Sequence, residues 1–517
     1  MWLIVLAAVL TACTTTTPPT TDATPTANPT EVPTENVIST SAPPQPTDAP
    51  RAFVLKVPTE WAQAAAEALG EANRNEDQPA WQLDVGQPAI GDIDASWVDA
   101  ILVEGTRGLI VAERPIALAV PFTAQWAGLT LEQAEEILEE GSDFVQALDW
   151  SDIQPGLKSL RVNGRHPSDP EYPLQRSWSV IASPEAQPAL AAILPGLKAS
   201  IENDPHAKLA AVGDLMLART VGEVLQTGNL DYPFEHTVGL LQDADLTIGN
   251  LESALGTGGV AVDKGYTFRA PPQAAPALAS AGFDLLSLAN NHAMDYGPTL
   301  LLEAIAALET EGIATTGAGI DENAAHQPFL IELDGLKTAF LSFVDVPQEF
   351  RGFNTRSWQA GRNHPGLAWA DPARMQLAIE AAHHQADLVV VLLHSGYEYV
   401  PQPSPPQVTS ARTAIAAGAD LVIGHHAHIL QPAEFHPGGV IVYGLGNFVF
   451  EDAGPPASAL LYVWLDTDGV RELQFVPVRL DAAGRPIPAS GDEAQAILNN
   501  IHSLTDTWRS QTPVESP

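Results

Sequence analysis

The chain has 517 residues, 45% of them apolar, and carries 63 acidic against 24 basic residues for a net charge of -39. That length exceeds one hydrophobic core at roughly 100–200 residues per domain, so two or three folded units are expected. The acidity excludes nucleic acid as a partner, because the surface repels a phosphodiester backbone. The single cysteine, Cys13, excludes an intramolecular disulfide and a thiolate metal site.

In chain order, residues 1–13 form a short apolar run (Trp2, Leu3, Ile4, Val5, Leu6) ending at Leu10-Thr11-Ala12-Cys13. This reads as a secretory signal, too short to span a bilayer of about 30 Å. The last four residues resemble a bacterial lipobox, which implies cleavage before Cys13 and lipid on its thiol. Residues 14–50 are mostly Thr and Pro with almost no large apolar side chain. Such a tract buries too little surface to fold and serves as an extended stalk. The expected location is therefore the outer face of the cell membrane, held by a lipid anchor.

Residues 51–204 mix strand and helix signals. Residues 52–57 read as a strand, with Thr59 placed to cap a helix over 60–73. Residues 115–121 read as a buried strand, and Thr130 precedes a helix with an acidic first turn. Ile116-Ala117-Leu118-Ala119-Val120, Gly128-Leu129-Thr130-Leu131, Trp150-Ser151-Asp152-Ile153 and Tyr172-Pro173-Leu174 together resemble part of a phosphate-type periplasmic solute-binding protein. That resemblance implies a small α/β binding-protein-like domain, short of a full two-lobed receptor.

From residue 207 to about 484 the pattern changes. Apolar runs at 209–212, 245–248, 283–288, 388–393, 421–423 and 440–443 each stop at a polar cluster. Continuous apolar runs mark strands buried on both faces. Helices are expected over 276–281, 298–310, 372–385 and 406–417, each with proline near its start. Alternating strand and helix predicts an α/β sandwich whose strand ends hold the ligand site. A C-terminal helix and tail are expected over 485–517.

Those strand ends carry Asp214, Asn250, Glu252, Asn291, His292, His394, His426 and His428. A nitrogen and oxygen donor set without thiolate suits Mn, Fe or Zn, as one ion or two. His166, His206, His236, His326, His364, His383, His384, His436 and His502 lie outside these clusters and read as surface or capping residues. Asp295, three residues after His292, is the acid nearest to it. Arg269, Glu398 and Asn447 are candidate substrate-binding residues, with Arg219 and Lys264 as further cations near the motifs.

The ordered motifs Gly213-Asp214-Leu215-Met216, Gly249-Asn250-Leu251-Glu252, Asn290-Asn291-His292, His394-Ser395-Gly396-Tyr397-Glu398, Gly424-His425-His426-Ala427-His428 and Gly446-Asn447-Phe448 resemble the CapA family of poly-γ-glutamate capsule proteins. That family is related to calcineurin-like metallophosphoesterases, so the resemblance implies a metallophosphatase-like αββα sandwich. It implies Asp214, Asn291, His394, His426 and His428 as metal ligands and His292 as the catalytic histidine. Asp295 is added as the expected catalytic acid partner. Three positions depart from the phosphoesterase pattern. Met216 stands where an imidazole is usual, Asn250 stands at the bridging Asp, and no acid follows His292 directly.

Two functions follow as expectations. One is a metal-dependent hydrolase acting on an anionic surface polymer or a phosphoester, with His292 as general acid. The other is a non-catalytic, membrane-tethered component of a capsule-synthase complex. The N-terminal unit leaves a third, a solute sensor.

Overall fold

A computed structural model describes residues 51–512, apart from 76–77, 95–96, 123, 125 and 127. The expected signal, stalk and lipidated Cys13 lie outside the described residues. Among the described residues, no helix is long and apolar enough to cross a membrane. Residues 52–512, as far as they are described, form one compact unit.

The N-terminal part is built on a seven-stranded sheet. Its order runs Trp81–Val85, Phe53–Val57, Ala100–Glu104, Gln175–Ala182, Leu109–Pro121, Gln146–Asp149, with Leu157–Ser159 also paired to Leu109–Pro121. The strand predicted over 115–121 begins earlier, at Leu109, and has three partners along its length. Leu109–Pro115 pair with Gln175–Val180, Ile116–Ala119 with Gln146–Asp149, and Ala119–Pro121 with Leu157–Ser159. One strand thereby joins two small cores, one around Leu55, Leu102 and Leu197 and the other around Leu118, Leu160 and Leu174. Thr130 caps the helix Leu131–Glu140 in a reciprocal capping box with Gln133. Thr59 does not cap the next helix. It lies inside a short 3-10 turn, Thr59–Trp61, that precedes the helix Ala62–Ala72 and has no side-chain cap.

Two further sheets make the C-terminal part. The first orders Ala314–Thr316, Leu285–Ser287, Leu246–Leu251, His206–Leu215, Ala457–Asp466, Gly469–Leu480 and Pro486–Pro488, with Asn447–Val449 also paired to His206–Leu215. The second orders Phe329–Leu333, Leu336–Asp345, Leu388–Ser395, Leu421–His425, Gly439–Val442 and Ala433–His436. Successive side chains of a strand point to opposite faces, and that alternation sorts the core into layers. Leu209 and Ala211 meet Phe340, Val390, Leu392 and Ile423 between the sheets. Ala210 and Val212 turn outward onto helices Arg219–Gln226, Ala274–Ala281 and Pro298–Thr310 through Val221, Leu225, Leu278 and Leu308. On the second sheet, Val389, Val391 and Leu393 turn outward onto Pro372–His383 and Pro405–Ala416 through Met375, Ile379, Ala411 and Ala414. The result is a four-layer αββα sandwich.

A buried carboxylate gathers several of the contacts by which the N-terminal sheet docks on this sandwich, beside an Arg161–Gln474 and a Trp464–Ser168 hydrogen bond. Glu472 accepts from the Ser159 amide and hydroxyl, both at 2.8 Å, and from Trp150 Nε1 at 3.2 Å. His166 Nε2 lies 3.3 Å from the same group, and its ring stacks on Trp464 at 4.0 Å. His166 and His502 are therefore not surface residues, being 1% and 7% exposed. His166 is sealed into the junction, and His502 faces inward from the C-terminal helix Gly491–Gln511 toward Phe122.

Candidate metal centre

Four parallel strands deliver the polar residues. His206–Leu215 and Leu246–Leu251 bring Asp214, Asn250 and, one residue on, Glu252; Leu388–Ser395 and Leu421–His425 bring His394 and His426. The strands of the two sheets end side by side, so groups 212 residues apart in the chain touch. The His426 amide donates to Asp214 Oδ2 at 3.1 Å. Glycine makes the approach possible. A Cβ on Gly213 would stand 2.0 Å from the Gly446 carbonyl oxygen, and one on Gly424 would stand 2.0 Å from that of Tyr443. His426 and His428 both adopt left-handed backbone, φ 84° and 56°, an uncommon state for residues with a Cβ.

Three sets of donor atoms cluster within 4.8 Å of one another: Asp214, Glu252 and His428; Glu252, His394 and His426; and Glu398, His426 and His428. Asn291 Oδ1 lies 2.6 Å from His394 Nε2, which joins its carboxamide to the second set. Asp214, Glu252, Asn291, His394, His426 and His428 are all buried. Both carboxylate oxygens of Glu252 lack a hydrogen-bond partner, as does His426 Nδ1. A buried carboxylate without partners is costly unless a cation compensates it.

The electrostatics agree with that arrangement. Burial pushes the Glu252 carboxyl well above its ordinary range, and the charges of Asp214, Glu398 and Glu349 push it further. Burial would raise Asp214 too, but the His428 hydrogen bond and the charges of His425, His428 and His394 hold it below the usual carboxylate range. Burial, then the neighbouring His426, holds His394 well below the usual imidazole range. His426 is pushed down to about 3, chiefly by burial and by His428. Neutral imidazoles, as at His394 and His426, are what a divalent ion needs as ligands, whereas His428, which burial alone would lower, is raised by its hydrogen bond to Asp214. The residues present thus fit a metal.

Not every predicted ligand points at the cluster. The Asn250 carboxamide is engaged on all sides. Its Nδ2 donates to Asp214 Oδ1 at 2.8 Å and lies 3.1 Å from His394 Nδ1, while its Oδ1 accepts from Asn290 Nδ2 at 3.0 Å. Asn250 thus braces two ligands instead of offering a free oxygen. Arg269 is exposed, lies over the Tyr296 ring and donates to the Thr257 and Gly258 carbonyls. Asn447 Oδ1 lies 2.8 Å from His428 Nδ1, which orients that ring. Glu398, expected on the substrate side, shares a donor cluster with His426 and His428. Met216 contributes no donor and packs with Ala218, Phe268 and Phe450.

His292 sits beside the cluster in a separate network. Its Nδ1 donates to Asp295 Oδ2 at 2.7 Å, and its ring lies against Phe268 at 4.3 Å. Lys264 anchors this pair from a fully buried position. Its Nζ lies 2.7 Å from Asp295 Oδ1 and 2.9 Å from Glu349 Oε1, and donates to the Asn291 carbonyl at 2.5 Å. Asn290 completes the turn, accepting from the His292 and Ala293 amides and donating to the Leu251 carbonyl. Sequence reasoning missed the roles of Asn290 and Glu349. Asn290 announces itself only as the first half of an Asn-Asn pair, and Glu349 lies in an irregular stretch with no motif around it.

The family described as bacterial capsule synthesis protein PGA_cap matches residues 208–452. The PGA biosynthesis protein CapA of Bacillus subtilis (strain 168) is 31% identical over 310 residues, spanning 59% of this chain and 80% of that one. The capsule biosynthesis protein CapA of Bacillus anthracis is 31% identical over 296 residues, spanning 55% and 70%. Among solved structures, a novel phosphatase of Mycoplasma pneumoniae aligns at 12% identity over 53% of this chain and 94% of that one, with a TM-score of 0.35. With its motifs, their order and four-fifths of a relative matched at that identity, the chain belongs to the PGA_cap family of bacterial capsule synthesis proteins.

Proposed function

We propose that the chain is a surface-tethered protein of capsule or poly-γ-glutamate biosynthesis whose strand-end cluster is a metal-dependent hydrolase site. One observation carries the site: Glu252 is fully buried with both carboxylate oxygens unpartnered, among Asp214, His394 and His428. Asp214, Glu252, Asn291, His394, His426 and His428 would hold the metal, and the nitrogen and oxygen donors suit Mn, Fe or Zn. The bound ion supplies Lewis-acid activation of an ester or carbonyl oxygen.

The chain's own residues supply the rest. With Nδ1–H committed to Asp295, the His292 ring keeps Nε2 as the atom that exchanges a proton with the reacting group. Lys264 holds Asp295 in place, which fixes the ring's orientation and tautomer. An anionic polymer or a phosphoester is the substrate class that such a cationic centre attracts on an otherwise acidic protein. The Thr/Pro-rich stretch and Cys13 support a stalked, lipid-anchored placement on the outer face of the membrane, beside a capsule-synthase complex.

A second reading has its own observation. Asn250 replaces a bridging charge and is consumed by bracing contacts, which favours a centre that binds polymer without cleaving it. Turnover separates the two. The purified chain, loaded with Mn²⁺ or Zn²⁺, is assayed on an aryl phosphate and on a γ-glutamyl polymer. The hydrolase reading expects metal-dependent product that His292→Asn lowers by about 10²-fold or more. Metal bound at the centre without turnover on either class leaves the polymer-binding reading.

A further inference from the structure

Arg219 begins the helix Arg219–Gln226, five residues beyond Asp214. Its backbone is left-handed, φ 50°, an uncommon and costly state for a residue with a Cβ and one that clusters at functional sites. The side chain is exposed. Its Nη1 donates to the Glu451 carbonyl at 2.7 Å, while the two carboxylate oxygens of Glu451 accept from Thr220, one from the amide at 2.9 Å and one from the hydroxyl at 2.8 Å. Glu451 thus braces the guanidinium through its carbonyl, with its charge turned to Thr220. Among the described residues no carboxylate lies within ion-pair distance of Arg219. By contrast Lys264, Arg471 and Arg485 each hold two carboxylates on this acidic chain.

The guanidinium lies over the Phe268 ring at 4.9 Å. That ring lies 4.3 Å from His292 and 5.8 Å from Phe450, which packs on His428 at 4.8 Å. Arg219 therefore borders the centre through Phe268 and hydrogen-bonds to none of its donor residues. A positive charge placed there meets the part of a bound molecule next to the reacting group. Tyr266 and Tyr399 are also exposed on the segments around this mouth, the Tyr399 ring 5.9 Å from His428, which suits a ligand longer than one reacting group.

We propose that Arg219 is a specificity-determining residue that binds a second anionic group of a chain-like substrate, one repeat away from the group that reacts at the centre. The inference deepens the reading of the centre as a site for an anionic substrate and rests on it. A guanidinium presents its N–H donors in a planar fork that matches a carboxylate or a phosphate. With Nη1 engaged by Glu451, Nη2 and Nε keep donors for such a group. A polyanion gains this contact, and a compact ester with one anionic group does not.

The test uses the full chain in detergent, supplied with Mn²⁺, and measures by calorimetry the binding of two probes, a γ-linked glutamate hexamer and inorganic phosphate. Arg219→Gln is expected to weaken the hexamer by about tenfold or more and to leave phosphate unchanged. Arg219→Lys, which keeps the charge and loses the fork, should fall between the two. Arg269→Gln removes a cation that lies over Tyr296 and touches no ring of the centre, and should bind both probes as wild type does. Metal content and melting temperature should match wild type in all three variants, because these side chains are exposed. Unchanged hexamer affinity in Arg219→Gln, an equal loss of both probes, or the same loss in Arg269→Gln would overturn the assignment. A wild type that binds neither probe would overturn the reading of an anionic substrate, and the assignment of Arg219 with it.

Discussion

Lys264 shows how much one side chain does at the residue scale. Its ammonium is fully buried against Asp295, Glu349 and the Asn291 carbonyl, 5.0 Å from the Trp358 ring. Lys264→Met keeps the length and removes the charge, stranding two carboxylates. A loss of roughly 3–5 kcal/mol is expected in denaturant unfolding. Adding Glu349→Gln should recover part of it, because one stranded charge is gone. Arg269→Ala, on an exposed side chain, should stay within about 0.5 kcal/mol of wild type. The ligand types are legible in the sequence, since carboxylate, carboxamide and imidazole recur at the ends of apolar runs. The roles of Lys264, Asn290 and Glu349 are not, because each depends on a partner brought in by a different loop.

At the scale of elements, the strand His206–Leu215 has the largest part in shaping the centre. Its apolar run stops at Val212, yet the strand continues through Gly213 and Asp214. The reason is Gly213: lacking a Cβ, it admits the Gly446 carbonyl and lets Asn447–Val449 pair alongside. Gly213→Ala and Gly424→Ala each place a methyl 2.0 Å from a backbone oxygen. Each should destabilise by roughly 1–3 kcal/mol or more, read as a fall in melting temperature. The same change at Gly239, with open space around it, should have a much smaller effect. Helix positions are legible from periodicity and proline, as at Pro298–Thr310, which matches its expected span. The hairpin Ala457–Asp466 and Gly469–Leu480, which extends the first sheet, leaves no comparable signal, since no polar motif marks its ends.

At the scale of the whole molecule, the junction between the N-terminal sheet and the sandwich turns on Glu472. Burial alone would raise its carboxyl, but His166 and the Ser159 donors hold it below the ordinary value of 4.5. A depressed folded-state value means that the group stabilises the fold fully above the unfolded value, and that this stability is lost as pH falls through the folded one. Wild type should therefore lose stability on acidification below about pH 4.5, with Glu472→Gln showing a shallower slope over the same window and a lower stability at neutral pH. Equilibrium unfolding at a series of pH values reads both slopes. The junction is invisible in the sequence because its partners lie 306 to 322 residues apart.

Buried strand-end residues are expected to bind a divalent metal, and elemental analysis of the purified full chain reads that binding without an assay of turnover. Wild type should carry Mn, Fe or Zn near stoichiometry. His394→Ala and the His426→Ala/His428→Ala pair should lose it while retaining their secondary structure. Wild type without metal after reconstitution, or variants that keep a full complement, would mean that these residues do not form a metal centre.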